Sequence, residues 1–257
     1  PAIRGAVASG RMPPWMPSDR GVDLRYSRAL RSQDKDTLLK WIDGGMVEGD
    51  PAAPPRISVP PLEQVVAPRP DVVLDPGFEY QPKLVPTDDY HCFPVSQPFA
   101  DDTYLSAGDI IPGNKAIVHH VIVYEIPAKD VAAMRQKDNA EAGPGYTCYG
   151  GPGTSTPKTL LVWAPGSVAL RAPEGTTMRV SKGSVLVMQV HYNLAKYDGT
   201  GDRSLAHLEK SATVPEQVVT LVPIADPGKL RIAPNDKNAS QVITIPVALV
   251  LNYIKLP

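Results

Sequence analysis

From Asp71 onward the chain is written in short apolar runs: DVVL, TYLSAGDII, AIVHHVIVY, TLLVWAP, GTTMRV and SVLVMQVHYNL, then QVVTLVP and QVITIPVALVLNYI. Glycine and proline separate them and supply turns, which predicts antiparallel strands packed as a sandwich. Between Pro127 and Gly145 a polar, alanine-containing insert is expected to hold one helical turn. The first fifty residues have another texture. Ser32 precedes DKDTLLKWIDGG, where Leu38, Leu39, Trp41 and Ile42 form a short helical apolar face and Gly44 and Gly45 a stop. A second short helix is predicted over Ala2 to Ser9, ended by Gly10 and the prolines of RMPPWMP.

Two such helices cannot make a stable domain alone, so residues 1–50 read as a helical remnant of a larger module. Residues 51–70, PAAPPRISVPPLEQVVAPRP, carry prolines too densely for helix or central strand and read as a semi-extended linker. Residues 71–213 are expected to form one sandwich. Residues 214–257, opening with VPEQVVTLVP, read as the beginning of a second that does not close. The fold class is therefore all-β: an antiparallel, jelly-roll-like β-sandwich with a small N-terminal helical segment and the start of a second sandwich.

Composition supports many short strands, with 29 prolines and 20 glycines spread through 257 residues. A formal net charge of -1 and a pI near 6.6 give no electrostatic case for nucleic acid or an anionic membrane, and neither partner is expected. No apolar run reaches the length of a membrane span, and the start is not a signal segment. Because the chain opens at Pro1 and stops at Pro257 straight after VALVLNYIKL, it is expected to be a processed or partial piece of something longer.

The two cysteines, Cys92 in DYHCF and Cys148 in GYTCYGG, sit among turn residues and aromatics rather than in a CxxC pair. One long-range disulfide is the economical reading, and it would place the protein in a periplasmic or secreted setting; two separate buried thiols are the alternative.

His119 and His120 in AIVHHVIVY, and His191 in VLVMQVHYN, carry the candidate chemistry. An imidazole among Ile, Val and Leu loses its water on folding and needs a partner. One metal ion answers for all three. Consecutive strand side chains point to opposite faces, so His119 and His120 would share an ion only by folding back beside the backbone, with a wide angle at the metal. Such an angle suits cuprous copper better than zinc, making copper the first expectation and zinc the second. Gln189, at i-2, shares the face of His191. The competing reading is a surface strand edge and a satisfied core histidine. His91 and His207 are left out of the site. No GxSxG nucleophile elbow is present, no glycine loop cradles phosphate, and the sequon Asn238-Ala239-Ser240 is short enough to arise by chance.

With these residues in hand the chain resembles the copper type II, ascorbate-dependent monooxygenases, the family of peptidylglycine α-hydroxylating monooxygenase and dopamine β-monooxygenase. The matching pieces stand in the family's order: DDYHCF (88–93), PGNKAIVHHVIVYE (112–125), GYTCYGG (145–151), LLVWAPG (160–166), PEGTTMRV (173–180) and VLVMQVHYN (185–193). The resemblance implies that His119, His120 and His191 hold the electron-passing copper, that Tyr90 and Gln189 lie near it, and that Cys92 and Cys148 are bridged. It also implies two facing sandwiches with one copper each. In the family the second copper, where dioxygen and substrate react, is held by a His-x-His pair and a methionine; this sequence has no His-x-His. VALVLNYIKLP resembles the segment leading to that motif. No catalytic residue is therefore assigned in this chain.

AIRGAVASGRMPPW and LLKWIDGGMVEGDP resemble the tail of c-type cytochrome modules, which would make Met12 a haem axial ligand. The CxxCH attachment motif is missing, so haem c belongs only to a longer parent chain. The implied function is a copper monooxygenase hydroxylating a C–H bond of a small-molecule substrate with dioxygen and a one-electron donor, ascorbate or haem. The alternatives are a non-catalytic copper-binding or copper-delivery protein on the same sandwich, and a metal-free structural module.

Overall fold

A computed structural model describes residues 2–13, 29–50, 52, 66–83, 87–221, 231–235 and 242. The chain divides into two compact units, Pro1–Leu62 and Glu63–Pro257. The strand-like run QVITIPVALVLNYI, apart from Val242, the sequon and most of the proline-rich stretch lie outside the described residues.

In the first unit, helix α1 (Ala2–Ala8) and helix α2 (Ser32–Asp43) stand where the apolar spacing predicts them. Ala6 and Val7 are buried, the Arg4 guanidinium donates to both Asp43 oxygens at 2.6 and 3.0 Å, and Lys35 Nζ donates to the Ala8 carbonyl at 3.0 Å. Trp41, Met46 and Val47 are exposed.

The second unit is built from β1 (Val72–Leu74), β2 (Asp88–Pro94), β3 (Thr103–Ile111), β4 (Val118–Ile126), β5 (Tyr146–Thr147), β6 (Lys158–Trp163), β7 (Leu170–Arg171), β8 (Thr176–Val180), β9 (Val185–Asn193), β10 (Leu205–Lys210) and β11 (Gln217–Val219). Among the described residues they form a sheet ordered β1-β10-β3-β8-β11, with β7 also on β3, and a sheet ordered β5-β2-β9-β4-β6. The ladders are antiparallel except β11 on β8, which is parallel. This is the all-β sandwich with a small helical part. The described stretch of the segment after Val214 thus contributes an edge strand to the first sheet.

Strand β9 is the spine of the second sheet, and its burial explains the apolar run Val185–Met188 that opens it. Leu186, Met188, Val190 and Tyr192 point inward, with Val121, Val123 and Leu161, against Leu105, Met178, Val180, Ala206 and Leu208 of the other sheet. The alternate residues Val185 and Val187 point outward, where Ile126, Met134, Tyr146 and the two cysteines cover them. Where both faces are covered the strand shows no polar side chain, and each apolar side chain so buried contributes roughly 1.5–3 kcal/mol. Gly108 on β3 lets the sheets approach: a Cβ there would lie 2.6 Å from Leu161 Cδ1.

Two local expectations are corrected. The insert after Pro127 holds more than one turn: a short 3-10 segment, Ala128–Asp130, leads into helix α3, Val131–Ala140. Its Ala132, Ala133 and Met134 have good helix propensity, and Met134 is fully buried, so packing on the sheet stabilises a helix that polarity alone would not suggest. Cys92 lies in the middle of β2 rather than among turn residues, because Phe93 and His91 face the core and Tyr90 and Cys92 face outward.

Candidate metal centre

The site forms on the outer face of the second sheet, where β4 and β9 meet with one residue to spare. Val118 is opposite Tyr192 and His120 is opposite His191, so His119 has no partner of its own. This is a β-bulge: two residues of one strand face one of the other, and the surplus residue turns to the same side as its neighbour. Strict alternation would have sent the two rings to opposite faces. The bulge delivers both to the face that His191 occupies.

The result is a triad of imidazoles whose ligand atoms lie within 4.8 Å of one another. Nδ1 of His120 is 3.3 Å from Nδ1 of His119 and 3.3 Å from Nδ1 of His191. His119 is exposed, His120 half-buried and His191 buried, so the cluster opens to solvent on one side. Two nitrogens each about 2.0–2.1 Å from one ion stand 3.3 Å apart when the angle between them is about 105–110°. The wide angle expected for the adjacent histidines is therefore not formed, and this geometry accepts zinc as readily as cuprous copper.

Two of the rings, His120 and His191, are held toward the neutral form a metal requires. Burial and the neighbouring His191 and His119 rings push the His120 imidazole down to about 4. Burial lowers His191 too, against the upward pull of its hydrogen bond to Asp88. Both are neutral at pH 7, each with a free lone pair. His191 Nε2 lies 2.8 Å from Asp88 Oδ1, and hydrogen bonds from Thr87 and His191 hold the Asp88 carboxyl below its ordinary range.

Tyr90, directly opposite His191 on β2, stacks on its ring at 3.9 Å between centroids and 10° between planes. Tyr149, 82% exposed, meets Tyr90 edge-on at 4.9 Å. The Cys92–Cys148 disulfide is formed, and the Cys148 N–H donates to the Tyr90 carbonyl at 3.0 Å. Gln189 lies on the His191 face, but its side chain is spent on the disulfide loop: Nε2 donates to the Cys148 carbonyl at 2.6 Å. The bridge points to an oxidising compartment. No helix among the described residues is long and apolar enough to cross a membrane.

His91 and His207 lie outside the cluster. His91 is on the inner face of β2, stacked on Tyr80 at 4.4 Å, with Nε2 on the Pro144 carbonyl and Nδ1 on the Tyr80 hydroxyl, both at 3.0 Å. His207 is half-buried on β10, opposite Val73 and Asp109. Met12 is in the first unit, half exposed, with its backbone N–H donating to the Ala6 carbonyl. Asp88 was legible in DDYHCF once that run is read as a strand, since i, i+2 spacing puts it on the face of Tyr90. No protein-family model matches this chain, and none of the curated proteins does.

Proposed function

We propose that the second unit is the electron-relay copper domain of a copper-dependent monooxygenase, residues 71–213 forming the sandwich that bears it. The observation that carries this reading is the convergence of the His119, His120 and His191 Nδ1 atoms beside a ring stacked on Tyr90, in a chain whose six ordered motifs resemble that family. Copper bound there would supply one-electron chemistry between the cuprous and cupric states, drawing on a donor such as ascorbate or a haem of a longer parent chain. The chain's own residues supply the rest. Three imidazoles suit copper or zinc, and an open fourth side leaves the ion accessible. Tyr90 fixes the plane of the most buried ring. In this reading residues 1–50 are the end of a cytochrome c-like module, and dioxygen and a small-molecule substrate meet on a second copper outside this sequence.

A second reading, a non-catalytic copper-binding or copper-delivery protein on the same sandwich, needs only the three-histidine cluster. A His-x-His followed later by a methionine in the parent sequence decides for the enzyme, and their absence for the binding protein.

The test is anaerobic loading of the purified chain with cuprous ion, followed by metal analysis. Wild type takes up one equivalent; His119→Ala, His120→Ala and His191→Ala each weaken it. His91→Leu, removing a core imidazole, lowers stability and leaves stoichiometry intact. Unchanged affinity in His191→Ala sinks the three-ligand assignment.

A further inference from the structure

We propose that Asp88 is a positioning residue of this centre: it holds the proton of His191 on Nε2, so that Nδ1 is the atom turned to the ion. The inference rests on the metal reading of the triad and deepens it.

His191 has two ring nitrogens with opposite surroundings. Nδ1 is 3.3 Å from the Nδ1 of His120, inside the cluster, and Nε2 is 2.8 Å from Asp88 Oδ1, outside it. An ionised carboxylate only accepts hydrogen bonds, so in the neutral ring the proton sits on Nε2 and the lone pair on Nδ1. The opposite tautomer would set a lone pair against the carboxylate and an N–H against the other imidazoles.

The ring cannot swing away to relieve that. Asp88 and Tyr90 are two residues apart on β2 and share its outer face, so one strand grips the ring twice, by its edge through Asp88 and by its plane through Tyr90. Asp88 is itself steadied by the Thr87 hydroxyl. Among the described residues no carboxylate hydrogen-bonds His119 or His120, which makes His191 the anchored ligand of the three. A hydrogen-bonded carboxylate also makes the imidazole a stronger donor, and such partners typically change metal affinity about 10–100-fold. Its negative charge, passed through the ring, favours the more highly charged state of a redox ion.

The experiment compares wild type, Asp88→Ala, Asp88→Asn and His191→Ala. Long-range proton–nitrogen correlation in the metal-free protein reads the His191 tautomer. Competition with a chromophoric chelator gives the cuprous affinity, and a redox titration gives the potential. Wild type shows the Nε2–H tautomer. Asp88→Ala mixes the tautomers and loses about 10–100-fold in affinity. Asp88→Asn keeps an oxygen that accepts the Nε2 proton, so it stays within a few-fold of wild type while its potential rises; the cupric preference lost is read at about 59 mV per tenfold.

A wild-type ring protonated on Nδ1, an Asp88→Ala affinity within twofold of wild type, or an Asp88→Asn as weak as Asp88→Ala each overturns the positioning role. If His191→Ala binds as tightly as wild type, the metal reading itself fails, whatever Asp88 does. Should Asp88→Ala not fold, the tautomer in wild type and the Asp88→Asn affinity carry the test.

Discussion

Replacing both Cys92 and Cys148 by alanine removes a crosslink that spans 56 residues and encloses β3, β4, α3 and β5. Alanine is the right substitute because both sites are buried, at 0% and 5% exposure, where a serine hydroxyl would add a polar group to the outer-face cluster. The stabilisation comes mainly from the unfolded chain, which loses conformations when its ends are joined. For a loop of this length the chain-entropy relation gives about 4 kcal/mol at 25 °C, about a thousandfold in the folding equilibrium. With a urea slope of about 2–3 kcal/mol/M, the unfolding midpoint falls by about 1.3–2 M. Urea titration followed by tyrosine and tryptophan fluorescence, on oxidised wild type and the double variant, measures this. A difference below about 1 kcal/mol, with the wild-type bond confirmed by thiol titration, would refute the loop-closure reasoning.

Two further expectations follow from the geometry. His120 has a folded pKa of about 4, below its ordinary 6.5, so folding favours its neutral form; its contribution to metal-free stability is complete above pH 6.5 and lost as pH falls toward 4. The stability gap between wild type and His120→Ala therefore narrows on acidification through that window, and a constant gap contradicts it. At Gly113 an added Cβ would sit 2.7 Å from the Arg203 carbonyl oxygen, main chain that cannot rotate aside, so Gly113→Ala destabilises by about 1–3 kcal/mol, whereas Gly108→Ala meets only the Leu161 side chain and costs less, and Leu161→Ala, which empties a core position, costs about 2–5 kcal/mol. Thermal melts of the three variants check the ranking, and a Gly113→Ala melt equal to wild type removes the steric account.

Most strands were legible because Val, Ile and turn-forming glycine and proline report local preference. The run Val185–Met188 that opens β9 stood out because both faces of the strand are covered there, so nothing polar interrupts it before Gln189. What stayed hidden depends on partners far away in sequence. The bulge at His119 exists only relative to the register of β9, and no local pattern encodes a mismatch between two strands. DDYHCF does not advertise a strand, because two aspartates and a histidine break its apolar alternation, although Asp89 and His91 are satisfied inside the core by Tyr80. The histidine triad was readable as residue types, but the angle it offers an ion was not, since that angle follows from the bulge.

The surplus residue also separates ligand supply from architecture. Beyond the irregularity, Val121 through Ile126 keep step with Val190 through Val185 on their own account, and Val118 stays matched to Tyr192 on the other side. Shortening the strand by that one position would restore an ordinary ladder and leave the same side chains facing the interior, at the cost of a single imidazole. The scaffold thus does not depend on the triad, and a cluster that could hold an ion can be gained or lost without refolding the sandwich.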